Sequence, residues 1–272
     1  MAPVGYSQVA QFWADTVGSG RDRYRVELTD DAVLAQLGRL DGCDVLDAGC
    51  GEGYLARTMA GNGATVIGID LDSDLIDIAQ RHPAAPTDGR FEVGSLYSLP
   101  LADASVDRVV LNHVVNDLEH LDVAIAEVAR VLRTGGRVVA LMLHPCFYWA
   151  DRGRPEDWPS SYWSTAPKQH GFSVDGVDSP GEVLAWYRPL QDVVASFGAA
   201  GLSITSMTEP HPTDEQLMDP WWSERWSRPL FLIIEGSIGA PIDSPGDASE
   251  GSVPTCGRGS NSAGPLQGHK PL

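Results

Sequence analysis

The stretch VLDAGCGEGYLA, Val45 to Ala56, sets Gly49, Gly51 and Gly53 in a G-x-G-x-G spacing where an apolar run turns into a helix-forming one. Without Cβ atoms such a turn lets backbone amides approach a ligand, and the start of the following helix favours the ligand's negative groups. Twenty-one residues after Gly49, Asp70 closes a β-branched run, where a carboxylate accepts both hydroxyls of a ribose. Together they imply a nucleotide-like ligand. A dinucleotide loop usually has G-x-G-x-x-G, and Tyr54 stands where its third glycine would be, so a nicotinamide-dependent oxidoreductase is disfavoured. Cys43, Cys50, Cys146 and Cys256 form no CxxC pair and are too few for a disulfide scaffold or a zinc site. They are read as unpaired thiols of a reducing cytoplasm, and no metal is expected.

The elements that must hold this loop alternate between strand and helix. Cys43 to Gly49 is a short apolar run ending on the glycines, and Tyr54 to Ala60 is a helix stopped by Gly61-Asn62-Gly63. Ala64 to Asp70 is a second strand, followed by a helix with Asp72 or Ser73 as N-cap that His82-Pro83 closes. Phe91 to Gly94 and Val106 to Asn112 are further strands. Leu118, Leu121, Ile125, Val128, Ala129 and Leu132 share one helical stripe, and Gly135-Gly136 is expected to end that helix. VVALMLH, Val138 to His144, is apolar on both faces, as in a buried parallel strand. A helix over Leu190, Val193, Val194 and Phe197 precedes two closing strands, Leu202 to Met207 and Pro229 to Gly236. About seven strands with interleaved helices predict an α/β fold, a doubly wound and mostly parallel sheet that binds ligand at the carboxyl ends of its strands.

The 272 residues carry 19 Lys and Arg against 37 Asp and Glu, a net charge of −18. Such a chain repels polyanions, so neither a nucleic acid nor an anionic membrane surface is expected as its main partner. No apolar run is long enough to span a bilayer, and the first residues lack a basic stretch and an apolar core. The expectation is a cytoplasmic protein, monomer or homodimer. Residues 1–40 hold two short amphipathic helices, read as a lid from which Tyr6, Tyr24 and Arg25 reach toward the site when it closes. Residues 41–238 form the main domain. Within it, residues 145–188 lack a sustained period and are rich in Trp and Tyr, an insertion expected to cover the substrate. In residues 239–272 Gly, Pro and Ser fill half the positions, which predicts a disordered tail.

With the glycine loop, Asp70, GSLYSLPLADASVDRVVLNHVVNDL (Gly94 to Leu118) and EVARVLRTGGRVV (Glu127 to Val139), the chain resembles the class I S-adenosylmethionine-dependent methyltransferases from about Asp41 to Gly236. The resemblance implies a Rossmann-like sheet of seven strands with an antiparallel last strand. It implies S-adenosylmethionine as donor and S-adenosylhomocysteine as product. Asp47, Gly49, Cys50, Gly51 and Gly53 would hold the methionine part, Asp70 the ribose, and Leu71, Ser95 and Leu96 the adenine. Ser95 departs from the acid that many relatives carry at its position. Asn112 and His113 match the end of the fourth strand, which faces the methionine end and the acceptor. A weaker similarity, in HPCFYW (His144 to Trp149) and in Trp186 to Pro212, points to small-molecule methyltransferases of bacterial specialised metabolism such as antibiotic biosynthesis.

Methyl transfer is a displacement at a sulfonium carbon, so alignment and water exclusion dominate, and a base is needed only where the acceptor carries a proton. His144 and His113 each end a strand at the ligand-binding face and are the candidates for that proton. A satisfied structural histidine is the alternative for both, and His170 and His211 read as loop residues. Of the 8 Trp, seven follow the fifth strand. Tyr24, Trp149, Trp163 and Trp186 are therefore expected to bind an aromatic or apolar small-molecule acceptor, or a cation over their ring faces, unless they are only the insertion's own core. Methylation of oxygen or nitrogen is expected. A carbon or sulfur acceptor, a protein or RNA substrate, and a non-catalytic binder of S-adenosylmethionine are the alternatives.

Overall fold

Alternation within the apolar runs decides the layering. In the computed structural model, which describes residues 9–18, 20–148, 162–174 and 176–239, successive strand residues join opposite cores. On β1 (Asp44–Ala48), Val45 packs into one cluster and Leu46 into the other. On β4 (Val106–Asn112), Val109 and Leu111 face the second of these clusters and Val110 the first. A period of two with apolar residues on both faces demands helices above and below the sheet. Those helices are α2 (Asp30–Leu37), α3 (Tyr54–Gly61) and α4 (Ser73–Arg81) on one face, with α5 (Leu121–Val131) and α6 (Leu190–Ala199) on the other.

The sheet has seven strands. β2 (Thr65–Asp70) and β4 flank β1 in parallel, β3 (Arg90–Val93) lies outside β2, and β5 (Leu132–Leu143) lies beside β4. β11 (Phe231–Ile238) pairs antiparallel with β5 and with the edge strand β10 (Leu202–Thr208). The fold is thus the α/β sheet with an antiparallel last strand expected from the sequence. Asp70, Asn112 and Leu143 end β2, β4 and β5 on one edge, where the ligand side of such a sheet lies.

Three expectations need correction. Gly135-Gly136 does not end α5, which stops at Val131; the pair lies within β5, in a register shift against β4 between Val106 and Arg108. There Gly135 is left-handed at φ +78°, and a Cβ on Gly136 would lie 2.7 Å from the Arg133 carbonyl oxygen. The aromatic insertion is not without regular structure. β6 (Ala166–His170) and β9 (Val183–Tyr187) form an antiparallel ribbon, and β7 (Ser173–Val174) pairs with β8 (Val177–Asp178) at its end. Nor are all thiols unpaired, since Cys50 and Cys146 are free but Cys43 is disulfide-bonded.

Before the sheet come α1 (Ala10–Gly18) and a wide π turn, Arg25–Thr29, that runs into α2. After β10, the short α7 (Pro220–Ser223) carries the fully buried Trp222. Residues 240–272, most of the expected tail, and Trp149 lie outside the described residues. No helix among the described residues is long and apolar enough to cross a membrane.

Candidate active site

The glycine loop takes its shape from left-handed backbone. Gly49, Gly51 and Gly53 have φ of +78°, +53° and +80°, a region costly for residues with a Cβ. The amides of Gly49 and Cys50 donate to the carbonyl of Ile69 at 2.7 and 3.1 Å, which ties the loop to the end of β2. A Cβ on Gly49 would come within 2.6 Å of Val114 Cγ2, and one on Gly53 within 2.7 Å of the Phe91 ring. The two glycines thus serve different contacts: Gly49 the approach of the turn after β4, Gly53 the packing of α3 on the sheet.

Beside the loop opens a cavity of about 450 Å³. Asp47, Gly49, Cys50, Gly51, Asp70, Leu71, Ser95, Leu96 and Asn112 all line it, and Gly53 does not. Asp70 accepts the Gly51 amide at 2.8 Å through Oδ2 and the Asp72 amide at 2.9 Å through Oδ1. Burial raises its carboxyl from the ordinary value, against the pull of those amides. Leu71, 76% exposed, lines the cavity beside it as an apolar wall.

Asp47 is buried, and its Oδ2 has no hydrogen-bond partner among the described residues; the same holds for Asn112 Oδ1. Burial, and then the charge of Asp70, push the Asp47 carboxyl up to about 7. A buried acceptor without a donor is costly, so orphaned oxygens in a cavity wall fit a ligand that brings donors or positive charge. The ammonium and sulfonium of S-adenosylmethionine would supply both, and its ribose hydroxyls would meet Asp70. The donor set therefore fits that molecule. Among the described residues no group of three or more His, Cys, Asp or Glu could hold a metal ion.

Tyr54, which the sequence offered only as a missing glycine, connects three elements. Its hydroxyl accepts from Asn112 Nδ2 at 2.7 Å and from Arg25 Nη1 at 3.0 Å, and donates to Asp30 Oδ1 at 2.9 Å. Burial pushes the phenol upward, so it stays protonated and keeps that donation. Arg25 is buried, pairs with Asp22 at 3.1 Å, and lies over the ring of Trp13 at 4.9 Å. Its guanidinium brings the amino-terminal segment onto the cavity wall.

His113 stands where this cavity meets a second one of about 170 Å³, and lines both. It and Ala104 are the non-glycine residues with positive φ among those described, His113 at +64°. Such backbone costs of order 1–3 kcal/mol and concentrates at functional positions. The ring packs edge-on against Phe231 at 5.4 Å, and neither ring nitrogen has a hydrogen-bond partner among the described residues. Burial, and then Arg25, hold its pKa well below the ordinary value, so the imidazole is neutral.

The other candidates fall elsewhere. His144 lines neither cavity; it borders a pocket of about 20 Å³, with Nε2 2.9 Å from Glu209 Oε1 and Nδ1 accepting the Cys146 amide at 3.1 Å. Burial lowers its pKa against the opposing pull of Glu209. Both of its nitrogens are thus engaged within the fold. Trp186 borders that same small pocket, and Trp163 is 72% exposed with its ring edge-on to Tyr162. Tyr24 does line the second cavity, packed against Trp221, Trp222, Trp226 and Phe231. The other aromatic walls are Tyr148 and Phe172, from the insertion expected to cover the substrate, and Trp221 and Phe231, which were not named as site residues from the sequence. No spacing rule links them.

Residues 46–140 match the family described as a methyltransferase domain. Over 108 residues, 40% of this chain and 42% of the relative, the chain is 33% identical to the ubiquinone/menaquinone biosynthesis C-methyltransferase of Rubrivivax gelatinosus. Over 106 residues, 39% of this chain and 41% of the relative, it is 35% identical to the malonyl-[acyl-carrier protein] O-methyltransferase of Pectobacterium atrosepticum. The chain spans about two-fifths of the length of these curated relatives. The solved structure of an S-adenosylmethionine-dependent methyltransferase from Mesorhizobium loti superposes with a TM-score of 0.60 at 23% identity, over 76% of this chain and 96% of that one. A Listeria monocytogenes structure gives 0.62 at 22%, over 76% and 95%. Residues 46–140 therefore match a methyltransferase domain, and the chain has the fold of the solved S-adenosylmethionine-dependent methyltransferases.

Proposed function

We propose that the protein transfers a methyl group from S-adenosylmethionine to a small aromatic or apolar acceptor, on oxygen or nitrogen, as a tailoring step on a natural product. The larger cavity takes the donor, with its methionine end at Asp47 and the glycine loop, its ribose at Asp70, and its adenine between Leu71, Ser95 and Leu96. The smaller takes the acceptor, and the observation that carries the reading is that the two meet at His113 and Arg25. Arg25, Tyr54 and Asn112 hold the shared wall in place. Closing residues 1–40 over the site would expel water before transfer. The two named relatives modify different atoms, carbon and oxygen, so the acceptor must be argued from this chain's own walls.

The net charge of −18 favours a small acceptor over RNA, and the reading includes a cytoplasmic protein, monomer or homodimer. The test is calorimetric titration with S-adenosylmethionine, S-adenosylhomocysteine and NAD. Binding of both sulfur ligands and none of NAD is expected. Binding of NAD alone would withdraw the reading.

A further inference from the structure

The walls of the smaller cavity are less acidic than the chain as a whole. Although acids outnumber bases 37 to 19 overall, this lining holds Arg21, Arg23 and Arg25 against Asp22 and Asp117. Arg23 is neutralised by Glu27 and Asp219, and Arg25 by Asp22. Arg21 is exposed and forms no ion pair among the described residues. The faces of two lining rings, Trp221 and Trp13, are also already in use. Trp221 takes Arg23 at 4.5 Å and Arg225 at 5.0 Å, and Trp13 takes Arg25 at 4.9 Å. A cationic acceptor would compete with guanidinium groups for those faces and be repelled by Arg21. An anion would not.

Size and the inner end narrow the choice. About 170 Å³ is close to the cavity of about 150 Å³ that holds one benzene ring. At the inner end His113 offers a buried ring nitrogen with no partner, which a hydroxyl satisfies as donor or acceptor. Resting on the methyl-transfer reading above, we propose that the smaller cavity binds a one-ring aromatic hydroxy acid, its hydroxyl against His113 and its carboxylate toward Arg21, and that the hydroxyl oxygen takes the methyl. The O–H proton passes to the His113 ring nitrogen as the oxygen lone pair forms the new C–O bond. The C–S bond breaks with its electron pair left on sulfur, giving S-adenosylhomocysteine, an aryl methyl ether and an imidazolium that returns its proton to water. Because an oxygen gaining a third bond becomes a strong acid, a weak base suffices. A carboxylate turned inward instead would bring no proton for His113 to take.

The experiment uses the full chain loaded with S-adenosylhomocysteine and titrates hydroxybenzoates, benzoate, phenol and benzylamine, then repeats each with S-adenosylmethionine and identifies the product by mass and NMR. Hydroxybenzoates are expected to bind best and to give the ether. Arg21→Ala should lower the preference for hydroxybenzoate over phenol, as a ratio of kcat/KM, by about tenfold. For His113→Asn the choice of residue matters, because asparagine tolerates the left-handed backbone and keeps the fold. It should cut kcat on the order of a hundredfold while hydroxybenzoate binding to the loaded protein stays measurable. The deficit should shrink for a nitrophenol already ionised at the assay pH. Preference for benzylamine or phenol, a methyl ester as product, or an unchanged kcat in His113→Asn would each overturn the inference while leaving donor binding intact. Failure of S-adenosylhomocysteine to bind the unmodified protein would instead remove the methyl-transfer reading and this inference with it.

Discussion

The Tyr54 hydroxyl lies 2.7 Å from Nδ2 of Asn112, joining the first turn of α3 to the last residue of β4. The same oxygen carries Arg25 and Asp30, so one side chain fixes the glycine loop's helix, the strand end beside His113 and the amino-terminal segment together. Replacing Tyr54 by Phe removes all three hydrogen bonds without changing the ring. Because Arg25 and Asp30 then turn to each other, the expected loss is about 2 kcal/mol, read as a lower denaturation midpoint. Donor affinity should fall with it in calorimetry, since Asn112 loses the partner that orients it.

The Asp47 carboxyl predicts a pH dependence with a definite sign. It is pushed up to about 7 in the folded protein, against about 3.9 in an unfolded chain. The folded state therefore holds the proton more tightly, so this group's stabilisation is complete below about pH 4 and is lost as pH rises through about 7. Urea denaturation of the ligand-free protein across that range should show the decline, and Asp47→Asn should flatten it. A cationic donor works in the other direction. Its binding should expel a proton near neutrality, seen as calorimetric heats that vary with the ionisation enthalpy of the buffer.

Gly49→Ala tests two terms separately. The new Cβ would lie 2.6 Å from Val114 Cγ2, on backbone already at φ +78°. The combined cost should be about 2–4 kcal/mol. Adding Val114→Ala removes the 2.6 Å contact but leaves the backbone strain and a 2.9 Å approach to the Val114 Cβ, so only part of the stability should return in a double-mutant cycle.

His144→Ala should lower stability by about 1–3 kcal/mol, through the lost Glu209 and Cys146 contacts and the space left behind. Turnover and donor affinity should stay within about twofold of the parent protein. A collapse of kcat with unchanged stability would return His144 to the catalytic side.

How far the sequence reaches can be seen in these same residues. Local spacing governs the strand-loop-helix at Gly49 and the acid at Asp70, because the loop, its helix and the next strand follow one another within a few turns of chain. Both sit in the larger cavity's wall. The sheet was equally legible, since residues buried on both faces leave long apolar runs. Tyr54 was not: its role depends on Arg25, Asp30 and Asn112, which approach only after folding. Trp163 and Trp186 were chosen for their density in one segment, yet the rings around the smaller cavity come from segments distant in sequence. A ribbon such as β6 with β9 escapes periodicity because Pro167 interrupts a largely polar β6 while β9, VLAWY, is apolar at every position, although its burial alternates with Val183, Ala185 and Tyr187 inside.

One strand running against its neighbours has a consequence for descent. Because β11 is antiparallel to β5, its first residue, Phe231, pairs with Leu143 at the ligand edge, and the chain from Glu209 to Leu230 must arrive there before the sheet closes. Trp221, Phe172, Tyr24 and Trp13 likewise lie before or after residues 46–140, the stretch shared with the methyltransferase-domain family. The two cavities are thus written largely in different stretches of the gene. Substitution or recombination in the flanks would reshape the smaller cavity while the inherited middle keeps the larger one.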